Sequence, residues 1–153
     1  MNKNIKMDTS SNPNEIKIPS EFEISHSYEG GYTNSYSDSL PRKISVNQDG
    51  EVKIEINGYF ENCKSYKVEK IQAINLMKFF YENKFYELPE DLSDHTWSDS
   101  STSYLTVISN TFNRRVGGYA ASGNEKFSMF LKQFDSIFND DILEELNKNL
   151  EDF

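Results

Sequence analysis

The sequence predicts an α+β domain: two layers, an antiparallel sheet of five or six strands with two amphipathic helices on one face, and a short C-terminal helix. Three observations predict it. Apolar residues alternate one by one across 22–28, 44–46 and 52–56, which is the period of a half-buried strand. The spacing changes to threes and fours across 68–81 and 127–138, the period of a helix with one apolar side. Gly30-Gly31, Asp49-Gly50 and Asn57-Gly58 punctuate the alternating runs with turn chemistry.

Residues 1–19 are rich in Asn, Ser and Lys and read as a flexible tail with too few apolar groups to offset ordering. Residues 20–139 read as the single domain, and 140–153 as an acidic helical extension. The first strand places Phe22, Ile24, His26 and Tyr28 on one side and Glu21, Glu23, Ser25 and Ser27 on the other. Gly30-Gly31 ends it in a tight turn or bulge. The clearest hairpin pairs Ile44 and Val46 with Val52, Ile54 and Ile56 around Asp49-Gly50. The stretch 59–68 is open between a fourth strand and the lead into a helix. A helix is expected over about 68–83 from Val68, Ile71, Ile74, Met77, Phe80 and Tyr81, ending at Asn83. Phe85 and Leu88 then pack back before Pro89, and 90–101 reads as a polar loop carrying Trp97. "TSYLTVIS" and "FNRRVGGY" form a second strand pair. Phe127, Phe130, Leu131, Phe134, Ile137 and Phe138 line the strongest helix, with Ser122 and Glu125 at capping-box spacing. The helices are expected to cover one side of the sheet, leaving a wet side of tyrosines and hydroxyls.

The 153 residues suffice for a core without disulfide or metal. The lone Cys63 has no partner within the chain, which favours a reducing compartment, and it reads as a half-buried strand thiol. A net charge of −9 argues against nucleic acid, since Arg114-Arg115 is far short of a basic stripe. No apolar run reaches the length of a membrane span and no signal-peptide core is seen, so a cytoplasmic location is expected.

Catalytic signatures are sparse. There is no nucleophile elbow, no Cys with a local His and no phosphate loop. "VGGYAASGN" lacks the Lys and the glycine spacing of a phosphate loop and reads as a strand exit and helix cap. Asp94, His95 and Asp99 sit close in sequence beside Trp97, but their spacing matches no metal motif. A solvated loop that Trp97 pins to the sheet is the expected reading, a metal-dependent enzyme the least favoured of three functions, and no cofactor is expected. The favoured function is non-enzymatic binding of a protein through "SHSYEGGYTNSYSDSL", with Tyr28, Gly30, Gly31, Tyr32, Tyr36 and Trp97 as contact residues. Tyr and Ser supply large, adaptable contact area with little entropy loss. An immunity- or stress-type protein holding a basic partner on its acidic surface is the alternative.

One pattern extends over about 21–139. "EISHSYEGGYT" is a strand running into a Gly-Gly-aromatic turn, and "ISVNQDGEVKIEI" is a Gly-marked hairpin. "FFYENKFYELP" closes a helix, and "DSSTSYLTVIS" and "RRVGGYAASGN" precede the last amphipathic helix. The chain thereby resembles a group of small bacterial α+β domains that includes emfourin, a protein inhibitor of a thermolysin-type metalloprotease. The resemblance implies a protease-inhibitor-like binding role. His26 stands where the group's pattern has Arg, and the longer first hairpin and the extra C-terminal helix also depart from it. No inhibitory residue matches position for position.

Overall fold

The computed structural model describes residues 18–29, 42–56, 63–96, 100–138 and 142. Six strands form one sheet: β1 (Phe22–Glu29), β2 (Arg42–Asn47), β3 (Glu51–Ile56), β4 (Cys63–Lys67), β5 (Thr102–Ser109) and β6 (Asn113–Tyr119). Among the described residues the longer helices are α1 (Lys70–Glu82) and α2 (Glu125–Asp135). The strand order is β4-β3-β2-β1-β5-β6, and every neighbouring pair is antiparallel. The fold is therefore α+β with an antiparallel sheet. The segment left open between strand and helix supplies β4.

Register follows the apolar alternation. Ile24 stands opposite Val46 on one side and Val107 on the other, Ile44 opposite Ile54, and Leu105 opposite Val116. Cross-strand partners share a face, so these residues with Phe22 and Val52 make one continuous apolar surface. All of them are buried. The buried residues of α1 (Ala73, Leu76, Met77, Phe80) and of α2 (Phe127, Phe130, Phe134) belong to the same cluster. Phe85, Leu88, Ile137, Phe138 and Ile142 complete it. Of the expected C-terminal helix, Ile142 is the one described residue; the others lie outside the described residues, as do 1–17 of the expected tail.

Local chemistry explains the element boundaries. Asn47 Oδ1 accepts the N–H groups of Asp49 and Glu51, each at 3.0 Å, and Gly50 takes the left-handed φ of +79° that closes the β2–β3 turn. The Gly50 carbonyl then accepts the Val68 N–H at 2.9 Å. That bond ties Val68 to the hairpin, so α1 begins at Lys70 and not at the expected 68. Gln72 accepts the Glu69 N–H at 3.1 Å over the first turn. Asn83 ends α1 as expected, its side chain donating to the Phe79 carbonyl at 2.9 Å.

The start of α2 corrects the reading of Ser122 as its cap. Ser122 lies in a short 3-10 turn, Ala121–Gly123, and Asn124 is the N-cap, accepting the Phe127 N–H at 3.0 Å. Both Ser and Asn can cap. The left-handed Ala120 (φ 58°) sets the chain into the turn, which moves the helix start two residues onward.

Candidate protein-binding surface

β1 is a central strand, and its register decides what comes together at its end. Tyr28 stands opposite Arg42 of β2 and Ser103 of β5, and Glu29 stands opposite Thr102. Ile56 is opposite Arg42, and Tyr119 is opposite Thr102. The described residues that flank 30–41, 57–62 and 97–99 are therefore gathered at one end of the sheet. Gly30, Gly31, Tyr32, Tyr36 and Trp97, expected as contact residues, lie outside the described residues, as does Asp99.

Tyr28 is half-buried and shares the face of Phe22 and Ile24. The Arg42 guanidinium lies 4.1 Å from its ring centroid. An Arg over an aromatic face is a favourable and geometrically restricting contact. Tyr28 thus stands at the margin of the core, already paired, and not on the polar face of the sheet.

His26 is two residues earlier on that face. Its ring meets Phe134 edge-on, with centroids 6.4 Å apart at 72°, and its Nε2 is sealed from solvent with no hydrogen-bond partner among the described residues. Burial, and secondarily the Arg42 charge, pull the imidazole from its ordinary 6.5 down to about 4. The folded protein therefore holds His26 neutral where the unfolded chain would already be protonated. The unfolded state binds the extra proton between 6.5 and 4, so this contribution to stability is complete above 6.5 and is lost as pH falls towards 4. The full loss would approach about 3 kcal/mol. We expect urea denaturation at pH 7 and pH 4.5 to show a smaller drop in stability for His26→Leu than for the parent chain. Equal drops would contradict the assignment.

The segment after Pro89 is largely exposed, as expected of a solvated loop, and its backbone is joined to β6; Trp97, expected to pin it to the sheet, lies outside the described residues. Gly117 donates its N–H to the Glu90 carbonyl at 3.0 Å, and its own carbonyl accepts the Leu92 N–H at 2.8 Å. Asp94 donates its N–H to the Tyr119 carbonyl at 2.8 Å. The chain thus runs along β6 with a parallel bridge at Asp91. Ser93 Oγ accepts the Tyr119 N–H at 3.1 Å, and the Tyr119 hydroxyl accepts the Ser100 N–H at 3.0 Å. Asp94 and His95 have structural tasks: Asp94 Oδ1 accepts from both Thr96 N–H and Thr96 Oγ1, and His95 stacks flat on Tyr119 at 5.5 Å and 7°. Among the described residues no group of three or more His, Cys, Asp and Glu is arranged to hold a metal ion.

Alternation also separates Arg114 from Arg115. Arg114, on the core-bearing face at the sheet margin, donates to the Leu88 carbonyl and pairs with Glu90 at 3.4 Å. Arg115, on the opposite face, lies 3.7 Å over the Tyr104 ring. Two consecutive strand residues cannot form one patch. The Tyr104–Arg115 and Tyr119–His95 pairs escaped the reading of the sequence, because they depend on register and not on spacing. Cys63 is the first residue of β4, as a strand position. No helix among the described residues is long and apolar enough to cross a membrane. No family model matches the chain, and no curated protein matches it either.

Proposed function

We propose that this chain is a non-enzymatic protein-binding module of protease-inhibitor-like character, resembling the emfourin group. Both helices cover one face of the sheet, a short helix follows α2, and the contact surface is the end of the sheet that carries the Tyr/Ser/Gly-rich connection between β1 and β2. The observation that supports this most is the pairing of β1 with both β2 and β5. Tyr28, Arg42 and Thr102 belong to one end because of it, and Ser100 joins them through the Tyr119 hydroxyl. A connection rich in tyrosine and serine has the composition of a protein-recognition surface. The partner in this reading is a protein in the cytoplasm, and not a nucleic acid or a membrane.

The alternative, an immunity- or stress-type protein that holds a basic partner, rests on the net charge of −9. Salt separates the two. We expect proteins captured from host lysate by the immobilised chain to be retained as salt is raised, and to be lost with Tyr32→Ala or Tyr36→Ala. Capture that collapses with salt and ignores both substitutions would favour the acidic surface. No substitution-sensitive partner would count against the binding reading.

A further inference from the structure

The polar face of the sheet carries a second candidate site that uses none of residues 30–41. Tyr104 stands opposite Gly117, and Arg115 opposite Thr106, so all four share that face. Gly117 contributes no side chain, which leaves the sheet bare beside Tyr104. The segment running along β6 forms the far wall. The result is a depression of about 350 Å³ lined by Glu90, Asp91, Ser93, Tyr104, Arg115 and Gly117.

The charges around it are arranged unequally. Glu90 is engaged by Arg114 at 3.4 Å. Asp91 accepts the Ser93 N–H at 3.0 Å, and hydrogen bonding to Ser93, with a smaller push from His95, holds it below the usual carboxylate range. Arg115 is exposed and held over the Tyr104 ring, and among the described residues no carboxylate lies within ion-pair distance of it. A fixed anion and a restrained cation thus border one hollow without touching each other.

A simple anion there would be drawn by Arg115 and repelled by Asp91 and Glu90; a simple cation would meet the reverse. A molecule carrying both charges meets neither penalty. We propose that this depression binds a small zwitterion, an amino acid or a short peptide, with its carboxylate on Arg115 and its ammonium on Asp91. Stacking on Tyr104 limits the orientations of the guanidinium and so lowers the ordering cost of a two-point contact. Both charged groups are exposed, so solvent weakens each contact and the affinity lies in the millimolar range. The proposal extends beyond the protein-binding reading, and either can fail alone.

Amide shifts of Ser93 and Gly117 in the isotope-labelled full chain test it, with glycine, triglycine, N-acetylglycine and glycinamide as probes. Saturable shifts are expected with glycine or triglycine, and at least about tenfold weaker binding with the two blocked forms. The tighter of the two zwitterions tells whether the site takes a free amino acid or a peptide. Arg115→Gln and Asp91→Asn should each weaken binding by about tenfold while the rest of the spectrum keeps its dispersion. The absence of saturable shifts with both zwitterions would overturn the site. N-acetylglycine or glycinamide binding as well as glycine, or binding indifferent to both substitutions, would do the same.

Discussion

Gly117→Ala is expected to destabilise the protein by more than about 3 kcal/mol, at the severe end for a single methyl group. A Cβ at this position would lie 2.1 Å from the Ser103 carbonyl oxygen and 2.7 Å from the Tyr104 Cα. Both are backbone atoms of the paired strand, so no side-chain rotation relieves the clash. The φ of +153° adds strain that only glycine avoids. Relief requires β5 and β6 to move apart, and the bonds from Gly117 to Glu90 and Leu92 would be disturbed with them. Two other glycines calibrate the result. At Gly118 the nearest atom is the Ser93 Oγ, a side-chain atom that can turn away only by giving up its bond to the Tyr119 N–H, and its φ of +136° penalises a side chain. At Gly123 a Cβ meets nothing within 4 Å. Thermal unfolding should rank Gly117→Ala as far the most damaging, Gly118→Ala as intermediate, and Gly123→Ala as near neutral. Equal midpoints for Gly117→Ala and Gly123→Ala would contradict the packing of β5 against β6.

Phe130→Ala is expected to cost about 3–5 kcal/mol. Phe130 is fully buried, and its ring lies 4.9 Å from that of Phe80, 5.2 Å from Phe85 and 5.8 Å from Phe79. These rings belong to α1, to the turn after it and to α2, so one side chain joins three separate segments. Truncation removes the transfer energy of a phenyl group and leaves a cavity among rigid neighbours. For a chain of this size, each kcal/mol lowers the melting temperature by roughly 2–4 °C. Phe130→Leu should lose distinctly less, because it refills much of the space. A loss below about 1 kcal/mol for the alanine variant would mean that this aromatic cluster does not hold the helices to the core.

The strands and helices were legible where one periodicity acted alone. Ile44, Val46, Val52 and Ile54 alternate around Asp49-Gly50, and both the turn and its register follow from those residues. The 63–67 strand was ambiguous because Lys64, Ser65 and Lys67 are exposed and only Tyr66 gives it a half-buried side. No local signal marked the pairing of 90–94 with β6. Its polar composition is that of any loop, and the bonds it makes come from its backbone. The Ser122 cap failed for a related reason: spacing alone cannot report that Ala120 turns left-handed. At the candidate surface, Tyr28 was correctly placed in phase with Phe22 and Ile24. Its pairing with Arg42 depends on a hairpin register that spacing within β1 does not contain.

The neighbour relations of β1 bear on how the chain is made. One flank of this strand is satisfied by β2, soon after it in the chain, but Phe22 on the other flank waits for Ser109. During synthesis, the open flank of β1 and its apolar residues leave the ribosome well before β5 exists to cover them. Distant pairing of this kind slows folding and prolongs the exposure of sticky intermediates. The hairpin of β2 and β3 can form early, but the finished domain must assemble after the last third of the polypeptide has emerged, and nascent chains stalled before β5 are those most in need of a chaperone.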